Sequence, residues 1–364
     1  IAFYLVCLGF ILKKIPPRLF YLSILFFSIF ELSVNIYYQM EGIANEWVFA
    51  SRSSYERDLK AIQSLVREKT DSNYRTEILQ PQTGNDSMKY GYNGISQFSS
   101  VRNTDASSTL DKLGFKSEGT NLNLRYQNNS ILMDSLFGVR YNLSQQPVQK
   151  FGFKEIAIKN GVSLSENEYA LPIAFLSAKP YKNTSFTNLT LDNQTRFIHQ
   201  ITDEKYKFYK KLNILSPTSQ NTTSSLQTAK IEEDSHLSYA SIQYEVTVPA
   251  HSQLYVNVPN LQFSNDDRKD IEISYNGQNQ RYTIDNAFPF FSIGHFDTEE
   301  TVTIRMSFPE NSTVSFDTPE FFALDLDQYT QAIASIRQQE VAIHKKKNKL
   351  VAAYNAIFQI GDLK

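Results

Sequence analysis

The feature that most constrains this chain is the apolar run from Leu19 to Met40, which matches the ~20 residues a helix needs to cross a bilayer. A helix this apolar on every side has no polar face to turn to water, so a hairpin buried in a soluble core is a poor alternative. A shorter apolar block, Ile1 to Leu12, precedes it, and the polar connection Lys13-Lys14-Ile15-Pro16-Pro17-Arg18 joins the two. A signal peptide has a basic start, one apolar block and a small-residue cleavage site. Here the basic residues lie between two blocks, and bulky residues fill the far end. The expectation is a transmembrane hairpin over residues 1–40, its first helix truncated because the chain opens inside a larger polytopic membrane protein.

Charge orients the hairpin. Lys13, Lys14 and Arg18 crowd the connection, and no Lys or Arg follows from Leu19 until Arg52. By the positive-inside rule the connection is cytoplasmic and everything after about Gln39 emerges on the other side. Tyr37, Tyr38 and Trp47 suit an aromatic belt at the outer interface.

Composition narrows the setting. A formal net charge of −2 gives no reason to expect nucleic acid or an anionic surface as partner. The single cysteine, Cys7, lies in the apolar block, so the exported part has no disulfides, whereas secreted eukaryotic domains usually carry some. N-x-S/T triplets at Asn85, Asn128, Asn142, Asn183, Asn188, Asn193, Asn221 and Asn311 are then accidents of an Asn/Ser/Thr-rich chain. The whole reads as a bacterial surface protein.

Beyond the membrane, Asn45 to Lys69 carries Tyr55, Leu59, Ile62 and Leu65 or Val66 at helical spacing. From Tyr74 the pattern turns to short alternating runs such as Tyr74 to Leu79 and Leu122 to Tyr126, with short helical pieces near Thr109 to Leu113 and Asp134 to Phe137. The polar stretch Ser216 to Ser235 reads as a linker or long loop. After it come strand patterns at Ile242–Val248, Gln253–Val258, Asp270–Tyr275, Gln280–Ile284 and Thr301–Phe308, with a turn signal at Asn276-Gly277. Asp325 to Glu340 reads as helix, and Lys345 to Lys349 as a solvated turn. The fold class is therefore α+β. Two transmembrane helices lead to a mixed extracytoplasmic region over 41–215, a linker over 216–240, and an antiparallel jelly-roll-like β-sandwich over 241–364. Further strands and another membrane helix are expected beyond Lys364.

Motifs for chemistry are sparse. His199, His236, His251, His295 and His344 are isolated, no pair sits at metal-ligand spacing, and there is no nucleophile elbow, P-loop or dinucleotide fingerprint. Two features stand above this background. Glu31 and Asn35 lie one turn apart on the second apolar helix. A carboxylate in hydrocarbon is costly, so Glu31 either pins a packing contact with neighbouring helices or walls a groove for a lipid-linked substrate. The second is the run Tyr90 to Ser100 with Arg102 and Asn103 after it. Tyr90, Tyr92, Gln97, Ser99, Arg102 and Asn103 are expected to line a membrane-facing substrate cleft. Rings stack on sugar faces, amides and hydroxyls bond sugar hydroxyls, and the planar guanidinium suits phosphate. The plainer reading is a glycine-containing loop, Gly91 and Gly94 supplying permissive backbone, with core aromatics.

Several pieces in order carry a resemblance. They are Glu31-Leu32 with Asn35, Tyr92 to Ser100, Leu113-Gly114-Phe115, Asp134-Ser135-Leu136-Phe137-Gly138-Val139-Arg140-Tyr141, and Glu166 to Phe175. Together they resemble the C-terminal half of the YfhO family of bacterial multi-pass membrane proteins, most specifically up to about Phe175 and only in outline from Ile242 on. The resemblance implies glycosylation of a cell-envelope polymer, teichoic or lipoteichoic acid in particular, with sugar drawn from an undecaprenyl-phosphate carrier on the outer face. In such enzymes the catalytic carboxylate lies in an early extracytoplasmic loop, which this chain lacks, so no residue here is assigned a catalytic role. The expected chemistry is inversion, with that carboxylate as base. No cofactor or metal ligand set is expected in this segment, and a divalent metal in the full-length protein is left open. Other envelope glycosylation proteins are candidate partners. The alternative is a non-catalytic carbohydrate-binding or assembly module.

Overall fold

The computed structural model describes residues 2–46, 52–101, 104–118, 123–126, 129–177, 179–220, 223–224, 228–231, 239–263, 270–283, 290–309, 314–338, 341–346 and 349–354. Trp47 lies outside them. The chain forms two compact units, Ile1–Asp58 and Leu59–Lys364.

The first unit is a helical hairpin. Helix Ala2–Ile11 and helix Pro17–Glu46 are joined by a turn in which Lys13 takes φ 55°. Pro17 stands at the first helical position, where its missing N–H costs nothing and its fixed φ suits the helix. Phe10 stacks on Phe20 at 4.0 Å, and Phe3 meets Phe27 edge-on at 6.0 Å, zipping the two helices together. Pro17–Ala44, with mean hydropathy 1.9 over its best window, is the one helix among the described residues long and apolar enough to cross a membrane. Ala2–Ile11, at 10 residues, is too short on its own.

The second unit is mixed α+β with several antiparallel sheets. In its first sheet Arg75–Ile78 pairs in parallel with Val139–Ser144, which pairs antiparallel with Val162–Asn167 and that with Phe153–Lys159. The helix ending at Lys69 lays Ile62, Leu65 and Val66 on this sheet against Tyr141, Leu143, Val162 and Leu164. Full burial of each such aliphatic contributes about 1.5–3 kcal/mol.

Two further sheets follow, of five and four strands. One orders Gln278–Thr283, Asp270–Tyr275, Glu300–Pro309, Tyr239–Val248 and Ile214–Gln220. The other orders Phe290–Phe296, Ser252–Asn257, Glu320–Asp325 and Tyr209–Leu212. Alternation places Ile242, Tyr244, Val246 and Val248 of the first and Leu254, Val256, Phe321 and Ala323 of the second in one core. The Asn276-Gly277 signal is a tight hairpin turn, both residues at positive φ (47° and 75°).

The described part of the polar stretch after 216 does not run as one loop. Ile214–Gln220 pairs with Tyr239–Val248, and Thr228–Ile231 with Val314–Asp317. Threonine-rich segments accept a strand backbone readily, and the polarity that reads as a loop does not oppose pairing. Chain from both sides of 216–240 shares another core. Ile131, Leu132 and Met133 pack in the same cluster as Phe197, Tyr255, Leu324, Tyr329 and Ile333. Helix Ile131–Leu136, buried on all sides, is fixed there by polar contacts. The Tyr255 hydroxyl accepts from Ile131 N at 3.0 Å, and Ser135 and Tyr329 hydroxyls pair at 2.7 Å. Two of the N-x-S/T asparagines, Asn142 and Asn193, are 0% and 1% exposed, so neither has room for a glycan.

Candidate functional site

The site begins where the helix Arg52–Lys69 ends. Thr70 Oγ1 donates back to Val66 O at 2.6 Å, and Asp71 Oδ1 accepts from Asn73 N at 2.9 Å, an Asx turn that swings the chain into strand Arg75–Ile78. Across from this turn, the short helix Asp86–Tyr90 closes on Gly91, whose φ of 80° suits a residue without Cβ. Thr76 N donates to Asn93 O at 2.8 Å, and Asn93 Nδ2 donates to Ser72 O. These bonds hold the chain after Gly91 beside the strand.

Between the two segments lies a cavity of about 610 Å³ lined by Gln63, Val66, Arg67, Thr70, Asp71, Ser72, Tyr74, Thr76, Tyr90, Gly91, Tyr92 and Asn93. It offers two half-buried rings, Tyr74 and Tyr92, the side-chain amides of Gln63 and Asn93, and one exposed charge of each sign at Arg67 and Asp71. Arg140, held by Glu166 at 2.7 Å, covers one face of Tyr74 at 4.4 Å from the ring centre. Burial pushes the Tyr92 phenol far up, so it stays neutral and serves as donor or acceptor.

Of the six expected site residues, the four that are described divide between the cavity and the surface beside it. Tyr90 and Tyr92 line the cavity, but Tyr90 is 2% exposed, packed in the core with Ile62 and Leu164, and donates its hydroxyl to Gln82 Oε1 at 2.7 Å. Gln97 is exposed on the two-residue strand Gln97–Phe98, and Ser99 spends its hydroxyl on Val101 O at 2.6 Å. Neither lines the cavity. Arg102 and Asn103 lie outside the described residues. In the first unit, Glu31 and Asn35 are exposed on the long helix.

Behind the cavity lies a polar core that sequence reasoning missed. Lys150 Nζ donates to Asp134 Oδ2 and the Tyr126 hydroxyl, both at 2.7 Å, and to Asn142 Oδ1 at 3.2 Å, so all three ammonium protons are used. The Tyr126 hydroxyl donates in turn to Asp134 Oδ1 at 2.6 Å. The side chains of Lys150 and Asp134 are 2% and 0% exposed. Burial pushes Asp134 up and Lys150 down, and each partner's charge resists the change. Next to them Glu77, 1% exposed, accepts from Ile95 N, from Ser96 N at 3.1 Å and from Ser96 Oγ at 2.9 Å. Burial raises Glu77 to about 7, against the pull of those bonds. Two quoted motifs, Tyr92 to Ser100 and Asp134 to Tyr141, therefore meet through Tyr126, whose N–H donates to Ser96 Oγ at 3.1 Å. Neither buried carboxylate reaches water. Neither of them lines the cavity.

Fold and site define a chain in which a helix long and apolar enough to cross a membrane precedes a large α+β unit with a polar, tyrosine-lined cleft. The family profile described as bacterial membrane protein YfhO matches residues 1–360, and the chain belongs to that family. Among curated proteins none matches. Solved structures share only local likeness. A complex of glycosylation-associated proteins from Streptococcus agalactiae is 9% identical over 40% of this chain and 35% of that one, with a TM-score of 0.24. A family two carbohydrate esterase from Cellvibrio japonicus is 13% identical over 32% and 34%, at 0.23. A family 35 carbohydrate binding module from Clostridium thermocellum is 12% identical over 31% and 96%, at 0.18. The chain thus spans about a third of the first two, and likenesses this slight have no bearing on function.

Proposed function

We propose that this chain is the extracytoplasmic part of a polytopic membrane glycosyltransferase that decorates teichoic or lipoteichoic acid with sugar from undecaprenyl phosphate. In this reading the helices Ala2–Ile11 and Pro17–Glu46 are membrane segments whose basic connection faces the cytoplasm. The five-stranded sheet and the four-stranded sheet that share its core form a jelly-roll-like sandwich. The cleft of about 610 Å³ holds the acceptor polymer, and it is the observation that carries the reading. Rings at Tyr74 and Tyr92 suit sugar or glycerol faces, Asn93 and Gln63 suit hydroxyls, and Arg67 suits the phosphate of the polymer backbone. The transfer itself uses a carboxylate outside this chain. That base takes the proton of the acceptor hydroxyl, whose oxygen bonds the anomeric carbon as the bond to lipid phosphate breaks.

A second reading is a non-catalytic carbohydrate-binding or assembly module that uses the same cleft without a transfer step. Deleting the gene and measuring sugar on purified teichoic and lipoteichoic acid by NMR decides between them. Loss of one sugar substituent with chain length unchanged supports the transferase. Unchanged decoration removes it.

A further inference from the structure

Tyr92 and Asn93 belong to an irregular segment, and its amides need acceptors wherever they are buried. Strand Arg75–Ile78 supplies them. The Glu77 side chain accepts from Ile95 N, Ser96 N and the Ser96 hydroxyl, while Thr76 N–H donates to Asn93 O. One carboxylate thus satisfies three donors of the segment. A side-chain amide in its place has only one acceptor oxygen.

The fit between strand and segment is close. A Cβ built on Gly94 would stand 2.9 Å from Ser87 Cβ, 3.1 Å from Tyr92 Cε2 and 3.4 Å from Glu77 Oε1. A side chain at position 94 would displace the cleft's own ring or the carboxylate that anchors it. Burying a carboxylate is expensive, and a sheet-to-loop contact could be made far more cheaply by an apolar residue. Charge-assisted bonds to backbone donors, as made here, reduce that expense without cancelling it.

We propose that Glu77 is the positioning residue of the cleft, holding the Tyr92–Ser96 segment so that Tyr92 and Asn93 form its wall. Glu77 itself does not line the cavity. The identity of the ligand rests on the acceptor reading above, but the hold on the segment does not. The charged and titratable groups that act on Glu77 are Arg75 on its own strand, Tyr92 in the segment, and Tyr126, Asp134 and Lys150 of the polar core.

The test uses the full chain in lipid nanodiscs, with hydrogen exchange of the segment 91–98 and binding of purified poly(glycerol phosphate) chains as readouts. Glu77→Ala is expected to raise exchange of 91–98, and only there, by tenfold or more, and to weaken polymer binding about tenfold. Glu77→Gln keeps one acceptor, so both effects are smaller. It is also expected to erase the change in wild-type affinity between pH ~6 and pH ~8, where wild type binds more tightly at the higher pH because only the ionised carboxylate accepts all three bonds. Tyr329→Phe, which loses the remote bond to Ser135, lowers stability without moving either readout. If Glu77→Ala does not fold, the exchange and pH profile of Glu77→Gln decide. Wild-type exchange of 91–98 in the variants overturns the proposal, as does an opened segment with unaltered polymer affinity. If wild type binds no polymer at all, the acceptor reading falls and the exchange result alone decides whether Glu77 holds the wall.

Discussion

Replacing Lys150 with Met removes a cation from the middle of the second unit while keeping most of its length and apolar stem. The structure sets the cost. Asp134, whose side chain is 0% exposed, loses its ion partner at 2.7 Å and keeps only the Tyr126 hydroxyl, while Asn142 Oδ1 loses a donor at 3.2 Å. Removing one member of a buried pair costs about 3–5 kcal/mol because the other charge is left uncompensated. For a unit of this size that lowers the melting temperature by about 5–8 °C. Adding Asp134→Asn removes the stranded charge, and the double variant should recover about 2 kcal/mol relative to the sum of the single changes. Chemical denaturation of the detergent-solubilised chain, followed by circular dichroism, supplies all four corners of the cycle. A Lys150→Met variant within about 1 kcal/mol of wild type, or strict additivity, would show that the pair does not hold the core.

Three further outcomes follow from the same contacts. Glu77 is raised from the ordinary 4.5 to about 7 in the folded chain, so between those values the folded state binds the extra proton and stability falls as pH rises; relative to Glu77→Gln, wild type should gain about 3 kcal/mol from pH ~8 to pH ~4, read from denaturation curves at each pH. A flat difference would refute that assignment. Tyr255→Phe orphans the buried Ile131 N–H and should cost about 1–3 kcal/mol, whereas an unchanged melting curve would mean the bond contributes nothing. Gly138→Ala, at φ 67° with Leu171 O 2.8 Å from the new Cβ, should destabilise by more than about 1 kcal/mol in the same assay, and a neutral result would contradict the close approach.

The sequence revealed what local periodicity can encode. The apolar run after Leu19 became helix Pro17–Glu46, the alternation at Ile242 to Val248 became a strand with one buried face, and Asn276-Gly277 became the turn it signals. Strand Phe290–Phe296 was hidden because nearly every residue in it is buried, which leaves no alternation to read. Helix Ile131–Leu136 was legible only in its second half, as the helical piece at Asp134 to Phe137, because six residues buried all round have no amphipathic face to mark where it starts. The cleft was half legible. The segment after Tyr90 marked one wall, but the other wall comes from the end of a helix whose Arg67 and Asp71 look like ordinary surface charges. Tyr90 shows the limit of composition as a guide, since an aromatic beside glycine fits a sugar platform and a core residue equally well, and burial decides. The polar core could not be read at all. Lys150 meets Asp134 across 16 residues and Glu77 meets Ser96 across 19, and no spacing rule links such distant partners.

The central claim, that the cleft holds the acceptor during glycosylation, is tested most directly by complementing the gene deletion with Tyr92→Ala in the full-length protein. NMR of the purified polymer then gives the sugar carried per repeat. We expect decoration to fall at least tenfold below the wild-type complement while protein level in the membrane stays the same, because the half-buried Tyr92 ring lines the cleft. Full decoration by Tyr92→Ala would contradict the account and move the acceptor site away from this cleft.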